Sequence, residues 1–111
     1  MAKYEKMISG QFETVVNHLQ GDIENSGITM NLVDESNFTF GDAYIAVRVY
    51  DKYCMRNGNR ASLSLTVVGH GSDIFISAIG AGGGQGVIFN FSLGAEDEMV
   101  EVVRESIKQL E

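Results

Sequence analysis

At 111 residues, 44% of them hydrophobic, the chain is long enough for one domain with its own packed core, so neither disorder nor a disulfide scaffold is expected. Its net charge of −7 argues against general nucleic-acid binding, which needs a basic surface. The single cysteine, Cys54, excludes an intramolecular disulfide framework.

A short strand and an amphipathic helix are predicted at the start of the chain. Residues 4–8 form the predicted strand, and Ser9-Gly10 supplies a capping site for the helix. The apolar residues that follow are Phe12, Val15, Val16, Leu19 and Ile23. Their spacing puts all five on one stripe of a helix, which Asn25-Ser26-Gly27 ends.

Alternation of apolar and polar residues then replaces the helical spacing over five segments. These segments are residues 28–32, 45–49, 63–67, 74–78 and 87–93. Such alternation is typical of antiparallel strands with one dry and one wet face. It predicts that Ile45, Val47 and Val49 face the core.

Turn signals separate the later strands and support a meander. Asn57-Gly58 is a strong hairpin signal, and residues 69–73 and 80–86 are predicted to turn the next two corners. The glycine-rich segment 80–86 matches no phosphate-binding spacing and precedes a strand, so a turn is predicted, with a flexible lid over a small pocket as the alternative. After Gly94, a helical stripe of Met99, Val103, Ile107 and Leu110 predicts the closing helix.

These elements predict one α+β domain over residues 1–111, in the order β-α-β-β-β-β-β-α. A five- to six-stranded antiparallel meander carries both helices on one face, since two amphipathic helices need one apolar surface. This element order resembles the TATA-binding-protein-like and helix-grip architectures, the latter including START-type lipid-binding proteins. The resemblance to helix-grip proteins implies a small apolar ligand between the closing helix and the sheet.

The opening of the chain carries a second resemblance. The stretch from Tyr4 to Phe12 (YEKMISGQF), followed by Val15-Val16 and Leu19, resembles the start of small uncharacterised bacterial domain families. Those families have no assigned activity, so the resemblance implies no function.

No residues in the sequence form a recognisable catalytic or metal-binding group. His70 with Asp73 offers two metal ligands where a site needs three or four. Cys54 has Lys52 and Arg56 near it in sequence but no evident histidine base. His18 lies beside the apolar stripe of the first helix, where partial burial is usual. We therefore expect no catalytic residues, no metal and no cofactor, and the chain is not predicted to be an enzyme.

A concentration of basic and aromatic residues is the most informative functional feature. Four of the eight basic residues fall within one predicted hairpin: Arg48, Lys52, Arg56 and Arg60. The alternation puts Arg48 and Lys52 with Tyr44 and Tyr50 on the wet face, and Tyr and Arg are enriched at interfaces. Tyr44, Arg48, Tyr50 and Lys52 are thus the predicted interaction surface, with ordinary surface pairing to Asp51 as the alternative.

The favoured function is a non-enzymatic protein-interaction or homo-oligomerising module that uses the exposed sheet face. The alternative is a binder of a small apolar ligand, with a pocket between the C-terminal helix and the sheet. Because no signal-peptide pattern and no stretch of about 20 apolar residues is present, we expect a cytoplasmic protein without membrane contact. Its expected partner is a second copy or another protein.

Overall fold

The computed structural model describes residues 2–27, 29–54, 59–82 and 94–111. They form five strands and two helices: β1 (Ala2–Ser9), α1 (Phe12–Glu24), β2 (Asn31–Phe40), β3 (Ala43–Cys54), β4 (Asn59–His70), β5 (Asp73–Gly82) and α2 (Ala95–Leu110). The predicted α+β class is confirmed. The predicted strand 87–93, the hairpin signal Asn57-Gly58 and most of the glycine-rich segment lie outside the described residues.

The five strands form one antiparallel sheet in the order β1-β5-β4-β3-β2. Strands β2 to β5 are a meander, and β1 pairs with β5 at the end of the sheet opposite β2. The turn between β4 and β5 contains Gly71, whose φ of 63° lies in the left-handed region that favours glycine. Strand β4 is therefore the central strand, with two strands on each side.

Helix α1 buries four of the five residues of the predicted stripe, with Phe12 partly buried, but begins differently from the prediction. Its buried residues are Val15, Val16, Leu19 and Ile23. The capping residue is Gln11, whose side-chain Oε1 accepts a hydrogen bond of 3.2 Å from the Thr14 backbone N–H. The predicted cap at Ser9-Gly10 is wrong because the Gly10 N–H donates to the Ser72 carbonyl and is held by the β4–β5 turn.

Both helices lie on the same face of the sheet, as predicted. A Cβ atom on Gly69 of β4 would lie 2.8 Å from Phe12 of α1, and one on Gly80 of β5 would lie 2.8 Å from the Glu96 carbonyl of α2. Helix α2 buries Met99, Val100, Val103, Ser106 and Ile107. We call the side of the sheet beneath the helices the covered face and the opposite side the outer face.

Strand β2 is longer than the strand predicted at residues 28–32 and begins further along the chain. It runs from Asn31 to Phe40, and its register with β3 shifts between Leu32 and Asp34. All ten of its residues are exposed. The alternation over residues 28–32 therefore overlaps only the first two residues of this edge strand.

The two faces of β3 are the reverse of the prediction. Ala46, Arg48 and Tyr50 are buried on the covered face, while Ile45, Val47 and Val49 point outward. The register explains the reversal, because Arg48 lies opposite Leu65 and Tyr50 opposite Leu63. Residues directly opposite in antiparallel strands share a face, and these leucines are fully buried under the helices.

Candidate interaction surface on the outer sheet face

The four residues predicted as an interaction surface lie on the covered face of β3. Arg48 is 7% exposed and Tyr50 is 2% exposed, so their assignment to the wet face is wrong. Lys52 is half-buried. Tyr44 is exposed, and its ring stacks on Phe12 of α1 with the ring centroids 5.5 Å apart. The structure therefore does not bring the four side chains together as one exposed stripe.

Arg48 joins three elements through its guanidinium group. Its Nε donates to Gln20 Oε1 of α1 at 3.1 Å, and its Nη1 donates to Asn37 Oδ1 of β2 at 2.9 Å. Glu35 Oε1 of β2 lies 3.3 Å from the same Nε. A buried charge needs such partners, and these tie the edge strand to β3 and to the first helix.

Tyr50 occupies the core beside Arg48 but lacks a comparable set of partners. Its hydroxyl is buried and makes no hydrogen bond within the described part of the chain. Burial raises the pKa of this phenol above its ordinary value of 10.0, and the nearby Glu24 carboxylate raises it further. The side chain therefore serves the core as an aromatic ring and stays protonated near neutral pH.

At one position along the strand direction, every strand of the sheet carries an apolar side chain on the outer face. The register aligns Met7 of β1, Phe75 of β5, Val68 of β4, Ile45 of β3 and Phe38 of β2. We call these five residues the apolar row. Neighbouring strands lie about 4.8 Å apart, so the row extends for about 19 Å across the sheet.

The ends of the apolar row are its most exposed parts. Met7 is 60% exposed and Phe38 is 59% exposed, and Phe40 beside Phe38 is 72% exposed. The rings of Phe38 and Phe40 stack with their centroids 6.4 Å apart. Exposed apolar side chains grouped in this way make the outer face a candidate interaction surface.

Two further rows complete the middle of the outer face. The middle row contains Glu5, Ser77, Thr66, Val47 and Ser36, and the charged row contains Lys3, Ile79, Ser64, Val49 and Asp34. The Ser77 hydroxyl donates to Glu5 Oε2 at 3.1 Å. Apart from their ends, these rows therefore consist of apolar and small polar side chains.

Sequence reasoning missed this surface, although one signal for it was present. Phe38 and Phe40 alternate with Asn37 and Thr39, which is the alternation of a strand with an aromatic face. Locating a strand there would have placed both rings on one side of the sheet.

A groove of about 760 Å³ lies between the end of α1 and the exposed side of α2. Its lining residues are Asp22, Asn25, Ser26, Asp97, Glu98, Glu101, Val102, Glu105, Ser106 and Gln109. The buried Ser106 hydroxyl donates to Asp22 Oδ2 at 2.6 Å, which joins the two helices. The groove is therefore acidic, and these described lining residues include no basic side chain.

His18 lies beside this serine and aspartate, in an order that differs from that of a serine nucleophile site. Its Nε2 lies 3.1 Å from Asp22 Oδ2, the oxygen that already accepts from Ser106. In a serine nucleophile site, histidine stands between the hydroxyl and the carboxylate and removes the hydroxyl proton. Here the carboxylate stands between the other two groups. The Ser106 hydrogen bond joins α2 to α1, while His18 and Asp22 both lie on α1, and His18 Nε2 makes no hydrogen bond within the described residues.

The other residues singled out from the sequence do not lie together in one site. His70 Nε2 lies 3.7 Å from Asp42, and both side chains are exposed. Among the described residues, no three His, Cys, Asp or Glu side chains are grouped closely enough to hold a metal ion. The Cys54 side chain lies outside the described part of the structure. No helix in the described ranges is both long and apolar enough to cross a membrane.

The whole sequence, residues 1–111, matches the model of a family described as "Family of unknown function (DUF6054)". This confirms the predicted resemblance to a domain family without an assigned activity. No curated protein matches the sequence.

Two solved structures are similar to the chain at low identity. One is the di-domain ARO/CYC protein StfQ from the steffimycin biosynthetic pathway, with 6% identity and a TM-score of 0.42. The match covers 98% of this chain and 44% of StfQ, so the chain spans less than half of that protein. The other is a protein of Thermus thermophilus, with 10% identity, a TM-score of 0.27 and coverage of 97% of this chain and 86% of that protein.

Proposed function

We propose that this chain, which belongs to the DUF6054 family of unknown function, is a non-enzymatic homo-oligomerising module whose outer sheet face packs against the outer face of a second copy. The observation that carries the proposal is the apolar row, which crosses all five strands on the side away from the helices. β3 adds to it, because its three β-branched residues Ile45, Val47 and Val49 point outward while an arginine is buried on the covered face.

The size of the outer face suits a stable dimer. Five strands about 4.8 Å apart and about 27 Å of strand length give a flat area of about 650 Å². Because side chains project from the sheet, the accessible area of the face is larger than this flat area. A standard-size interface buries about 800 Å² on each partner. The face is thus large enough to be covered by a second copy without further elements.

The chemistry of the face suits the same partner. Two sheets that pack face to face interdigitate apolar and small side chains across a gap of about 10 Å. The middle of the outer face has this composition, with Val47, Val68 and Thr66 on the central strands. The charged side chains of the middle and charged rows, Lys3, Glu5 and Asp34, stand on the two edge strands, where the rim of an interface is solvated. Asp73, Asp51 and Arg60 lie on the inner strands beyond these rows, towards the two ends of the face.

A non-enzymatic role is supported by the way the described polar groups are used. Ser106 donates to Asp22, and Arg48 is held by Gln20, Asn37 and Glu35. Each of these contacts joins one secondary-structure element to another. Helix α2 also packs tightly on the sheet at Gly80, where an added Cβ would lie 3.0 Å from Val100, and this approach leaves no room for an apolar ligand at that position.

The test is the solution mass of the protein measured by light scattering over a series of concentrations. The wild type is expected to approach twice the 12.1 kDa of one chain. Phe38→Glu introduces a charge at the end of the apolar row and is expected to yield a folded monomer. Because Phe38 is already 59% exposed on an edge strand, the substitution leaves the core unchanged.

Leu32→Glu is the matched control for that variant. Leu32 lies on the same strand and is 44% exposed, but it pairs with Tyr50 and so belongs to the covered side. This variant is expected to keep the dimer mass. A wild-type protein that stays monomeric at its highest soluble concentration would refute the proposal.

A further inference from the structure

We infer that the two copies are related by a two-fold axis parallel to β4, which sets Lys3 of each copy against Asp34 of the other. This inference rests on the proposed function, since it specifies how the two outer faces meet. Two exposed charges at opposite edges of the sheet then fix the orientation of the dimer.

The register places the two charges at the same level of the outer face. Lys3 on β1 lies opposite Ile79, which is followed across the sheet by Ser64, Val49 and Asp34. Lys3 is therefore two strands from β4 on one side, and Asp34 is two strands from β4 on the other. The two residues are equally distant from the central strand and carry opposite charges.

A two-fold rotation about an axis along β4 exchanges the two halves of the sheet. It lays β1 of one copy over β2 of the other, and β5 over β3, without moving any residue along the strand direction. Lys3 then faces the partner's Asp34, and Asp34 faces the partner's Lys3. An extended lysine and an aspartate together span about the 10 Å that separates packed sheets.

The same rotation also matches the other two rows. In the apolar row, Met7 faces Phe38, Phe75 faces Ile45, and Val68 meets its own copy across the axis. In the middle row, Glu5 faces Ser36. Within these three rows no two like charges are brought opposite each other, which matters because like charges at an interface weaken association. Beyond them, Arg60 on the outer face of β4 would face its own copy, and each Arg60 lies 3.3 Å from Asp51 of its own chain.

A two-fold axis perpendicular to the strands matches the face less well. With the axis along the apolar row, the middle row would face Ser9, Asp73, His70, Ala43 and Phe40. The charged row would then lie over the turns that follow these residues. Lys3 and Asp34 would both remain unpaired, and Ser77 would face Asp73.

Both charges are free to pair across an interface. Lys3 and Asp34 are exposed, and neither has an ion-pair partner within the described residues. The Asp34 carboxylate accepts one hydrogen bond of 2.8 Å from the Glu35 N–H, which leaves its second oxygen available. By contrast, Lys6 on the covered side of β1 already lies 3.3 Å from Glu111.

The experiment measures the dimer dissociation constant of two charge-reversed variants, alone and mixed. Lys3→Glu alone sets two carboxylates against each other at both contacts of the dimer, and Asp34→Lys alone sets two ammonium groups against each other at both. Each variant is expected to raise the dissociation constant by about tenfold or more. An equimolar mixture is expected to form a heterodimer with near wild-type affinity. One of its two contacts keeps the original Lys3 and Asp34, and the other joins the introduced glutamate of one chain to the introduced lysine of the other.

One control variant and three possible outcomes separate this inference from the proposed function. Lys6→Glu makes the same charge change on the covered side of the same strand and is expected to leave the dissociation constant unchanged. If Phe38→Glu dissociates the dimer while the Lys3 and Asp34 variants do not, the sheet-face dimer stands and this axis is wrong. If the mixture is as weak as its components, the axis is also wrong; a monomeric wild type removes both proposals.

Discussion

Arg48 and Tyr50 are neighbours on the covered face of β3, but their polar groups have different surroundings. The Arg48 guanidinium donates to Gln20 and Asn37 and lies beside Glu35, so its burial is compensated. The Tyr50 hydroxyl is buried without a hydrogen-bond partner in the described structure. An unpaired buried hydroxyl is unfavourable, which makes this group the more informative of the two to remove.

The raised pKa of Tyr50 predicts how the stability of the protein depends on alkaline pH. Well below pH 10.0 the phenol is protonated in both the folded and the unfolded chain. As the pH rises above that value, the unfolded chain loses the proton first, because burial and Glu24 raise the folded pKa. The free energy of unfolding therefore falls with rising pH in this range, and Tyr50→Phe is expected to remove that part of the fall.

Urea denaturation near neutral pH and above pH 10.0 measures this effect. Near neutral pH, Tyr50→Phe is expected to be as stable as the wild type or slightly more stable, since it removes an unpaired hydroxyl. Tyr53→Phe, which removes a hydroxyl from a 53% exposed side chain, is the control. An unchanged alkaline fall in Tyr50→Phe would contradict the assignment.

At the scale of elements, the sequence predicted both helices, the edge strand β1 and the inner strands, but not most of the edge strand β2. Helix α1, helix α2 and the central strands β4 and β5 were located from their alternation or stripe. Strand β3 was located, but its faces were reversed, because Ile45, Val47 and Val49 are more apolar than the residues between them. Which face is covered depends on the register with β4 and on partners for Arg48 from α1 and β2. Those are long-range contacts that no local pattern contains.

The contact between α2 and β5 predicts opposite effects for two glycine-to-alanine substitutions. A Cβ on Gly80 would lie 2.8 Å from the backbone carbonyl of Glu96, so the first turn of α2 must shift. Gly80→Ala is expected to lower the free energy of unfolding by about 1–3 kcal/mol. Gly21 lies within α1, and a Cβ there meets nothing within 4 Å.

Gly21→Ala is therefore expected to raise the free energy of unfolding by about 0.5–1 kcal/mol, since alanine restricts the unfolded chain and favours the helix. Urea denaturation of both variants measures the two changes. Equal effects of the two substitutions would contradict the close packing of α2 on the sheet.

At the scale of the whole molecule, the predicted use of the sheet surface for interaction remains a proposal, but its residues change. Alternation alone assigned Tyr44 and Arg48 to that surface. The register assigns Met7, Phe75 and Phe38 instead, and these come from three strands far apart in sequence. A row across a sheet is a property of strand pairing, so it becomes visible only when all four registers are known.

A dimer formed through the outer face makes thermal stability depend on protein concentration. If the folded dimer dissociates as it unfolds, mass action stabilises the folded state as concentration rises. For two chains of this length, the melting temperature is expected to rise by about 3 °C for each tenfold increase in concentration, from the typical entropy of unfolding per residue. Calorimetry or circular dichroism over a dilution series measures this slope.

Phe38→Glu should abolish the concentration dependence, because a monomer unfolds at a temperature independent of dilution. Its melting temperature should equal the value that the wild type approaches on extreme dilution, since the core between the covered face and the helices is unchanged. Leu32→Glu, on the covered side of the same strand, should retain the wild-type slope. A wild-type melting temperature that is constant across the dilution series, together with a monomer mass, would show that Met7, Phe38 and Phe40 are exposed in the functional molecule and need another explanation.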